Sequence, residues 1–501
     1  MKIILIQTPW SGSSAGSFKR VAKKYASYPP IGLMYLAAYL EQHGHRANIL
    51  DLEVNPLYVD ELCAVIRKNG ADIIGITTST PVFHIARALA KALKEKLGLP
   101  IVVGGPHITV LKDKTFSEEF DFGVANEGEY TLRELMDEME GNKNYSKIAG
   151  LIYRDGAEVK VNQPRPFIQD LDSLPFPARD KIDPHQYAFE VPGKGFLPVM
   201  TTELTRGCPF SCVFCSEPMN TGRKLRSRSA KNVVDEIVDV QAKFGIHHVF
   251  MLDSTLTANR KLIEAFCHEL IDRNVNITFE GQTRANLIDE QLITLMKKAG
   301  LNRLNFGLES SDKKVLALMK KNIDPESIRS AFRLCKRFHI SALCGSMMGN
   351  PGDTRDTILA TARFVRSIPE IRYSPVAIAV PYPGTELHLM AQNHMHGLKL
   401  IESDYSYYSR YAGGVMEVDG MKPSDLVKLQ RRALIISHAT PRKIIGLIQH
   451  FGFFVLVGMI LQMAKSEIMI LAGKRDPNLN SIEHENTTLK NMGINTGSFR
   501  K

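Results

Sequence analysis

Two successive series of short apolar runs alternating with amphipathic helical patterns constrain this chain more than any other feature. In the first, residues 3–6, 47–50, 73–77, 101–103 and 122–124 read as buried strands. Helical patterns at 32–43, 59–68, 83–97 and 131–139 lie between and after them, the first with the apolar stripe Leu33, Leu36, Ala37 and Leu40. Repeated strand–helix–strand units predict a doubly wound parallel sheet with helices on both faces. The second series places strands at 199–204, 248–252, 277–281, 303–308, 342–347 and 374–380, with helices between them. Six such units predict a partial (β/α)6 barrel of the TIM type, with its chemistry at the C-terminal ends of the strands. Between the two series, Pro164, Pro166, Pro175 and Pro177 exclude helix and central strand. The expected organisation is therefore an α/β, Rossmann-like domain at 1–145, a hairpin (149–161) and linker within 146–198, the barrel at 199–390, and a helical region at 391–501.

A chain of 501 residues is too long for one ordinary domain. Its net charge of +10 is spread among acids with no run of five like charges, which disfavours nucleic acid as a partner. An anionic substrate or an anionic membrane surface fits that balance equally well. The cysteine count is odd, at seven, with three clustered, which argues for a reducing cytoplasm and against a disulfide framework. Cys63, Cys267, Cys335 and Cys344 lie in apolar helix or strand patterns and are expected to be inert core residues. The N-terminus shows no signal-peptide pattern.

The clustered cysteines follow the first barrel strand, in Thr205-Arg206-Gly207-Cys208-Pro209-Phe210-Ser211-Cys212-Val213-Phe214-Cys215. Three thiolates on one short loop can hold three irons of a cubane cluster and leave the fourth open to a small ligand. A zinc knuckle is the plainer alternative, but zinc wants a fourth Cys or His, and the first downstream histidine is His247.

The C-x3-C-x2-C spacing resembles the signature of the radical S-adenosylmethionine (SAM) enzymes. The resemblance implies a [4Fe-4S] cluster on Cys208, Cys212 and Cys215, with SAM on the open iron. It also implies a one-electron donor of the flavodoxin or ferredoxin type, whose electron cleaves SAM to a 5′-deoxyadenosyl radical. The segments Phe250-Met251-Leu252-Asp253, Arg284-Ala285-Asn286, Phe306-Gly307-Leu308-Glu309-Ser310 and Pro381-Tyr382-Pro383-Gly384-Thr385 are similar to that family's strand-end motifs. The implied SAM contacts are Phe214, Asp253, Gln282, Arg284 and Glu309, with Gln282 and Glu309 accepting from the ribose or methionyl part and Arg284 pairing with the carboxylate. Each of these, taken singly, is as well explained by a helix cap or a surface ion pair. The turn Gly349-Asn350-Pro351-Gly352 resembles a family turn, with Asn350 and Asp353 in place of the commoner residues.

In the first series no G-x-G-x-x-G follows the first strand, which disfavours a dinucleotide. Pro29-Pro30-Ile31-Gly32-Leu33, Tyr35-Leu36-Ala37-Ala38-Tyr39-Leu40 and Gly104-Gly105-Pro106-His107, in this order, resemble the cobalamin-binding domain that precedes many radical SAM domains. The strand ends then implied as cobalamin contacts are Thr8, Pro9, Thr78, Ser79, Thr80, Gly104, Gly105, Glu127 and Gly128. The D-x-H-x-x-G motif that supplies a lower axial histidine elsewhere is absent, so the expectation is a base-off form without histidine, or one with a residue such as His84. His84 and His107 are read as structural imidazoles.

Toward the C-terminus, Tyr405, Tyr407, Tyr408 and Tyr411 form a tyrosine-rich stretch that packs as a loop or covers the barrel mouth. A helix at 423–438 with Ser424 as its cap is expected. Residues 444–463 carry no formal charge and follow Arg442-Lys443, which fits an interfacial, a buried or a membrane-spanning helix. The polar tail after Asn478 is expected to be disordered. The resemblance implies a cobalamin-dependent radical SAM C-methyltransferase acting on an unactivated carbon of a small-molecule or lipid substrate. Its alternatives are a cyclase or carbon–carbon coupling enzyme on a lipid or tetrapyrrole, and a non-catalytic cobalamin or iron–sulfur sensor. The expected location is cytoplasmic, either free or peripheral on the inner face of the membrane.

Overall fold

The computed structural model describes residues 1–9, 28–409, 414–451, 457–458, 461, 490 and 492–494. The first seven strands are β1 (Lys2–Gln7), β2 (Arg46–Asp51), β3 (Ile73–Thr77), β4 (Ile101–Gly104), β5 (Phe122–Val124), β6 (Leu151–Asp155) and β7 (Glu158–Val161). They form one sheet in the order β2-β1-β3-β4-β5-β6-β7, parallel through β5. Side chains alternate along β1, so Ile3 and Leu5 face helices Ile31–Gln42 and Glu129–Glu140, whereas Ile4 and Ile6 face helices Val59–Asn69 and Phe83–Leu97. Both faces are buried, which is why these strands read as unbroken apolar runs.

The hairpin expected in the linker is instead part of this sheet: β6 pairs antiparallel with β5, and β7 with β6. Capping an edge that would otherwise expose unpaired backbone groups accounts for its position. Beyond it the proline-rich stretch is tightly held. Ile168, Leu171 and Leu174 pack on Tyr35, the Ala178 amide donates to the Met34 carbonyl (3.1 Å), and buried Arg179 donates to the Thr201 carbonyl (2.6 Å) and pairs with Glu236.

The second sheet contains β8 (Ala188–Val191), β9 (Gly195–Thr202), β12 (His248–Met251), β13 (Thr278–Thr283), β14 (Leu301–Glu309), β15 (Ser341–Met348) and β16 (Val376–Ile378). The two short strands β10 (Thr205–Arg206) and β11 (Arg226–Ser227) lie between β9 and β12 in the chain and pair with each other as a separate two-stranded ladder. The six strands β9 and β12 to β16 are parallel and curl into a half-barrel, with β8 added antiparallel at the β9 edge. The helices that return the chain start at side-chain caps, among them Ser229, Asn259, Asp289, Asp312, Asp324 and Thr354, which satisfy the first free amides. Cys63, Cys267, Cys335 and Cys344 are buried, and burial pushes the last three thiols up to about 12, consistent with inert core positions.

Helix Pro423–His438 packs on helix Arg355–Ser367 and on β16. Its cap is Lys422, with Pro423 at the first position, and Ser424 falls inside the first turn. The turn Tyr405–Tyr407 docks against residues 80–82 and helix Phe83–Leu97 of the first domain, with Tyr405 edge-on to His107 (5.0 Å), while Tyr382 Oη at the barrel donates to the Tyr408 carbonyl (3.3 Å). Tyr411 lies outside the described residues.

Helix Pro441–Phe451 contains the start of the apolar segment 444–463, of which residues 452–456, 459–460 and 462–463 lie outside the described residues. Among the described residues no helix is long and apolar enough to cross a membrane. Lys443, expected as a cationic flank, is buried instead: its ammonium donates to the Val365 and Ser437 carbonyls, and burial lowers it to about 8. The tail also differs from expectation where it is described. Met492 and Ile494 are buried in the core of the first domain, and the Met492 carbonyl accepts from the Val59 amide at the start of a helix (2.8 Å).

Candidate functional site

The cysteine loop leaves β9 through a short neck. β10 and β11 pair antiparallel, Thr205 with Ser227 and Arg206 with Arg226, so residues 207–225 form a closed loop. Asp253, at the end of β12, holds the near side of the neck. Its carboxylate accepts from the Leu204 amide (3.0 Å) and from Thr205 Oγ1 (2.6 Å). It is fully buried, and burial pushes its carboxyl up to about 6. Gly207 crosses the neck with φ +99°, where an added Cβ would lie 2.4 Å from the Lys224 carbonyl oxygen. Only glycine tolerates that combination.

Further along, the Cys208 amide donates to the Gly222 carbonyl (3.2 Å) and the Cys215 amide to the Cys212 carbonyl (3.1 Å). Buried Val213 pins the loop to the barrel, donating to the Met319 carbonyl (3.1 Å) and accepting from the Leu387 amide (2.9 Å). The three thiols are close enough for a charge on one to disfavour charge on another. Burial raises the Cys215 thiol to about 11 and raises Cys212 as well, with Lys321 and Arg284 opposing at Cys212.

Arg284, Phe214 and Glu309 gather near Cys212. The Arg284 guanidinium lies over the Phe210 ring at 3.9 Å, is 5% exposed, and its Nε has no hydrogen-bond partner among the described residues. Glu309 ends β14 at φ +62° and accepts from Lys321 Nζ (3.0 Å), which lies 6.0 Å from the Phe214 ring. Gly307 makes room for that pair, because a Cβ there would sit 2.3 Å from Glu309 Oε1. Sequence reasoning missed Lys321, which sits in the turn after a short helix and resembles any other surface lysine in the sequence. Gln282 is exposed at the end of β13, and its carbonyl accepts from Leu256 (2.9 Å). Asp253 is not among this group, since both its oxygens are committed to the neck. Asn350 and Asp353 close their turn on each other, with the Asn350 amide donating to Asp353 Oδ2 (2.9 Å).

A cavity of about 400 Å³ opens at the C-terminal ends of the first sheet. Leu5, Gly75, Ile76, Val102 and Val124 form its apolar floor, and Gly104, Gly105, Glu127 and Gly128 its rim. The opposite wall comes from the cysteine loop and its approach: Glu203, Arg206, Asn220 and Thr221. Of the nine strand-end candidates, the other five do not line it. Thr8 Oγ1 donates to the Thr77 carbonyl (3.1 Å), Thr78 Oγ1 to the Ser79 carbonyl (3.2 Å), and Thr80 Oγ1 pairs with His107 Nδ1 (3.2 Å), while Pro9 and Ser79 sit beside them. No histidine lines the cavity among the described residues. His107 is fully buried and stacked on Phe83 (4.0 Å), and burial lowers both His84 and His107 to about 4, as expected of structural imidazoles.

Residues 202–365 match the Radical SAM superfamily, and residues 20–136 match the B12 binding domain. An uncharacterized methyltransferase of Pyrococcus horikoshii is 31% identical over 91% of this chain and 96% of its own length. The chain is a B12-binding radical SAM enzyme. An anaerobic magnesium-protoporphyrin IX monomethyl ester cyclase of Synechocystis is 29% identical over 68% of each chain. The fold is shared with the cobalamin-dependent SAM radical enzyme OxsB, solved with aqua-cobalamin and SAM bound: TM-score 0.69 at 16% identity, over 98% of this chain and 79% of that one.

The enzyme uses a [4Fe-4S] cluster, SAM and cobalamin, and needs an electron donor. Its residues fit these groups. Among the described residues no three His, Cys, Asp or Glu side chains converge on one point as a single ion requires. A cubane places each thiolate on its own iron, an arrangement that three thiols on one loop can meet. At the cavity, Asn220 Oδ1 is buried without a partner among the described residues, and a corrinoid offers carboxamide N–H groups to such an acceptor.

Proposed function

We propose that this enzyme methylates an unactivated carbon of a small-molecule substrate. The observation that carries the reading is the shared cavity, walled on one side by the first sheet and on the other by the cysteine loop. A ligand held there lies against the loop that carries the thiols. When bound, the three cofactors supply a carbon-centred radical and a methyl group to meet it. The P. horikoshii relative, matched over nearly its whole length, is called a methyltransferase, which favours methylation over the ring closure named for the Synechocystis relative.

In this reading Cys208, Cys212 and Cys215 hold the cluster. Arg284 pairs with the SAM carboxylate, for which its buried guanidinium with a free Nε is prepared. Glu309, fixed by Lys321, accepts from the ribose hydroxyls or the ammonium of SAM. Phe214 and the exposed Gln282 border the same space. Gly104, Gly105, Glu127 and Gly128 rim the corrinoid cavity, with Thr8, Pro9, Thr78, Ser79 and Thr80 supporting the strand ends behind it. Among the described residues no histidine lines that cavity, so a corrinoid held there would be base-off, without a histidine from this chain.

The test uses anaerobically reconstituted full-length enzyme, a chemical reductant, SAM with a deuterated methyl group, and small-molecule and lipid extracts as substrate source. Products carrying the deuterated methyl group are expected. A product that loses hydrogen, gains a ring and carries no label would replace methylation by the cyclase reading. A bound-cobalamin spectrum of the base-off type, unchanged in His84→Ala and His107→Ala, is expected alongside.

A further inference from the structure

The neck of the cysteine loop places Arg206 and Arg226 directly opposite each other in a two-residue antiparallel ladder. Like charges at such a pair repel and disfavour the ladder. The remedy comes from the other domain. Glu127, in the loop after β5, lies between the two guanidiniums. Its Oε1 accepts from Arg226 (2.7 Å) and Arg206 (3.1 Å), and its Oε2 from Arg226 (2.9 Å) and from the Ile168 amide of the linker (2.7 Å). Glu129 accepts from Arg206 as well (2.9 Å), and Glu203 holds its Nε (2.7 Å). Arg206 stacks on Tyr35 and Arg226 on Phe167, both at 4.9 Å. The side chains of Glu127, Glu129, Arg206 and Arg226 are all less than 10% exposed.

We propose that Glu127 is a positioning residue that registers the cysteine loop against the corrinoid cavity. It rims that cavity and at the same time closes the loop's neck two residues before Cys208. The distance between cluster and corrinoid thereby depends on one buried carboxylate with all its acceptor positions in use, the first-domain group that bonds both arginines of the neck. This inference rests on the reading that the cysteines hold the cluster and the cavity holds the corrinoid.

The test is electron paramagnetic resonance of the full-length enzyme with both cofactors bound, comparing wild type, Glu127→Gln, Glu127→Asp and Arg226→Lys. Glu127→Gln keeps the shape but loses the charge. It is expected to retain iron and cobalamin, to broaden the spin interaction between reduced cluster and cob(II)alamin, and to raise uncoupled SAM cleavage relative to methyl transfer at least fivefold. Glu127→Asp is expected to restore part of both. An unchanged spin interaction in Glu127→Gln and Arg226→Lys, with both cofactors bound, overturns the proposal. Wild-type enzyme that binds no cluster or no cobalamin instead removes the reading beneath it. Should the variants fail to fold, hydrogen exchange on wild type decides: adding hydroxocobalamin is expected to slow exchange across residues 203–228, and no change there overturns the proposal.

Discussion

The guanidinium of Arg284 rests on the face of Phe210, 3.9 Å from the ring centre, buried where its Nε meets no acceptor among the described residues. A buried cation held by stacking rather than by a carboxylate is prepared for an anion that arrives with the ligand. Replacing Arg284 by Gln is therefore expected to weaken SAM binding about tenfold or more, the loss of about 1.5–3 kcal/mol expected for charge-assisted hydrogen bonds. Iron content should be unchanged. Equilibrium dialysis with SAM against the reconstituted protein checks it, and Arg284→Lys should recover only part, because a lysine lacks the planar fork.

The cysteines give a sharper expectation. Changing any one of Cys208, Cys212 or Cys215 to Ala should abolish the brown cluster absorbance and SAM cleavage after anaerobic reconstitution. Substituting Cys63, Cys267 or Cys335 by Ala should leave both in place, since those thiols are buried in apolar packing. A reducible cluster in the triple variant would show that the ligands lie elsewhere.

Gly207→Ala tests the neck directly. The added methyl would press on the Lys224 carbonyl at a backbone angle that side chains rarely adopt, with a penalty of about 1–3 kcal/mol. The expected outcome is a lower unfolding midpoint together with a lower iron yield. Gly156→Ala, in an open turn with nothing near its Cβ position, should leave the iron yield alone.

Two buried carboxyls set a pH dependence. Burial raises Asp253 and Asp353 to about 6 in the folded protein, above their value in the unfolded chain. Folding therefore takes up protons between about pH 4 and pH 6, and these groups make the protein more stable as the pH falls from 7 through 6. Asp353→Asn should flatten that rise by about 1 kcal/mol between pH 7 and pH 5, and urea unfolding at those two values measures it. A larger rise in the variant than in wild type would contradict the assignment.

The returning tail also makes a testable contribution. Met492 and Ile494 are buried against the helix that starts at Val59. Burying such side chains is worth about 1.5–3 kcal/mol each, so the full-length double variant Met492→Ser, Ile494→Ser should lose about 3–6 kcal/mol of first-domain stability. A thermal unfolding scan that leaves the first transition in place would show that the tail contributes little.

The sequence by itself determined those features that depend on neighbours a few residues apart. Unbroken apolar runs such as 3–6 and 73–77 announced strands buried on both faces, and the helical stripe from Leu33 to Leu40 announced the helix that covers them. The cysteine spacing likewise put three thiols on one loop after a strand, because a loop that short admits no other arrangement. Only the tertiary structure decided which distant charges meet. Glu127 and Arg226 are 99 residues apart, and nothing local to either tells a buried clamp from a solvated surface charge. The same holds for Lys443, whose cationic neighbourhood suggested a membrane flank but whose ammonium finds two carbonyls inside the fold. It holds too for the hairpin after residue 149, which reads as part of a linker until the open edge of β5 claims it. Periodicity is written along the chain, whereas desolvated charge pairs and sheet edges are settled by topology, which brings together segments whose sequences carry no mark of one another.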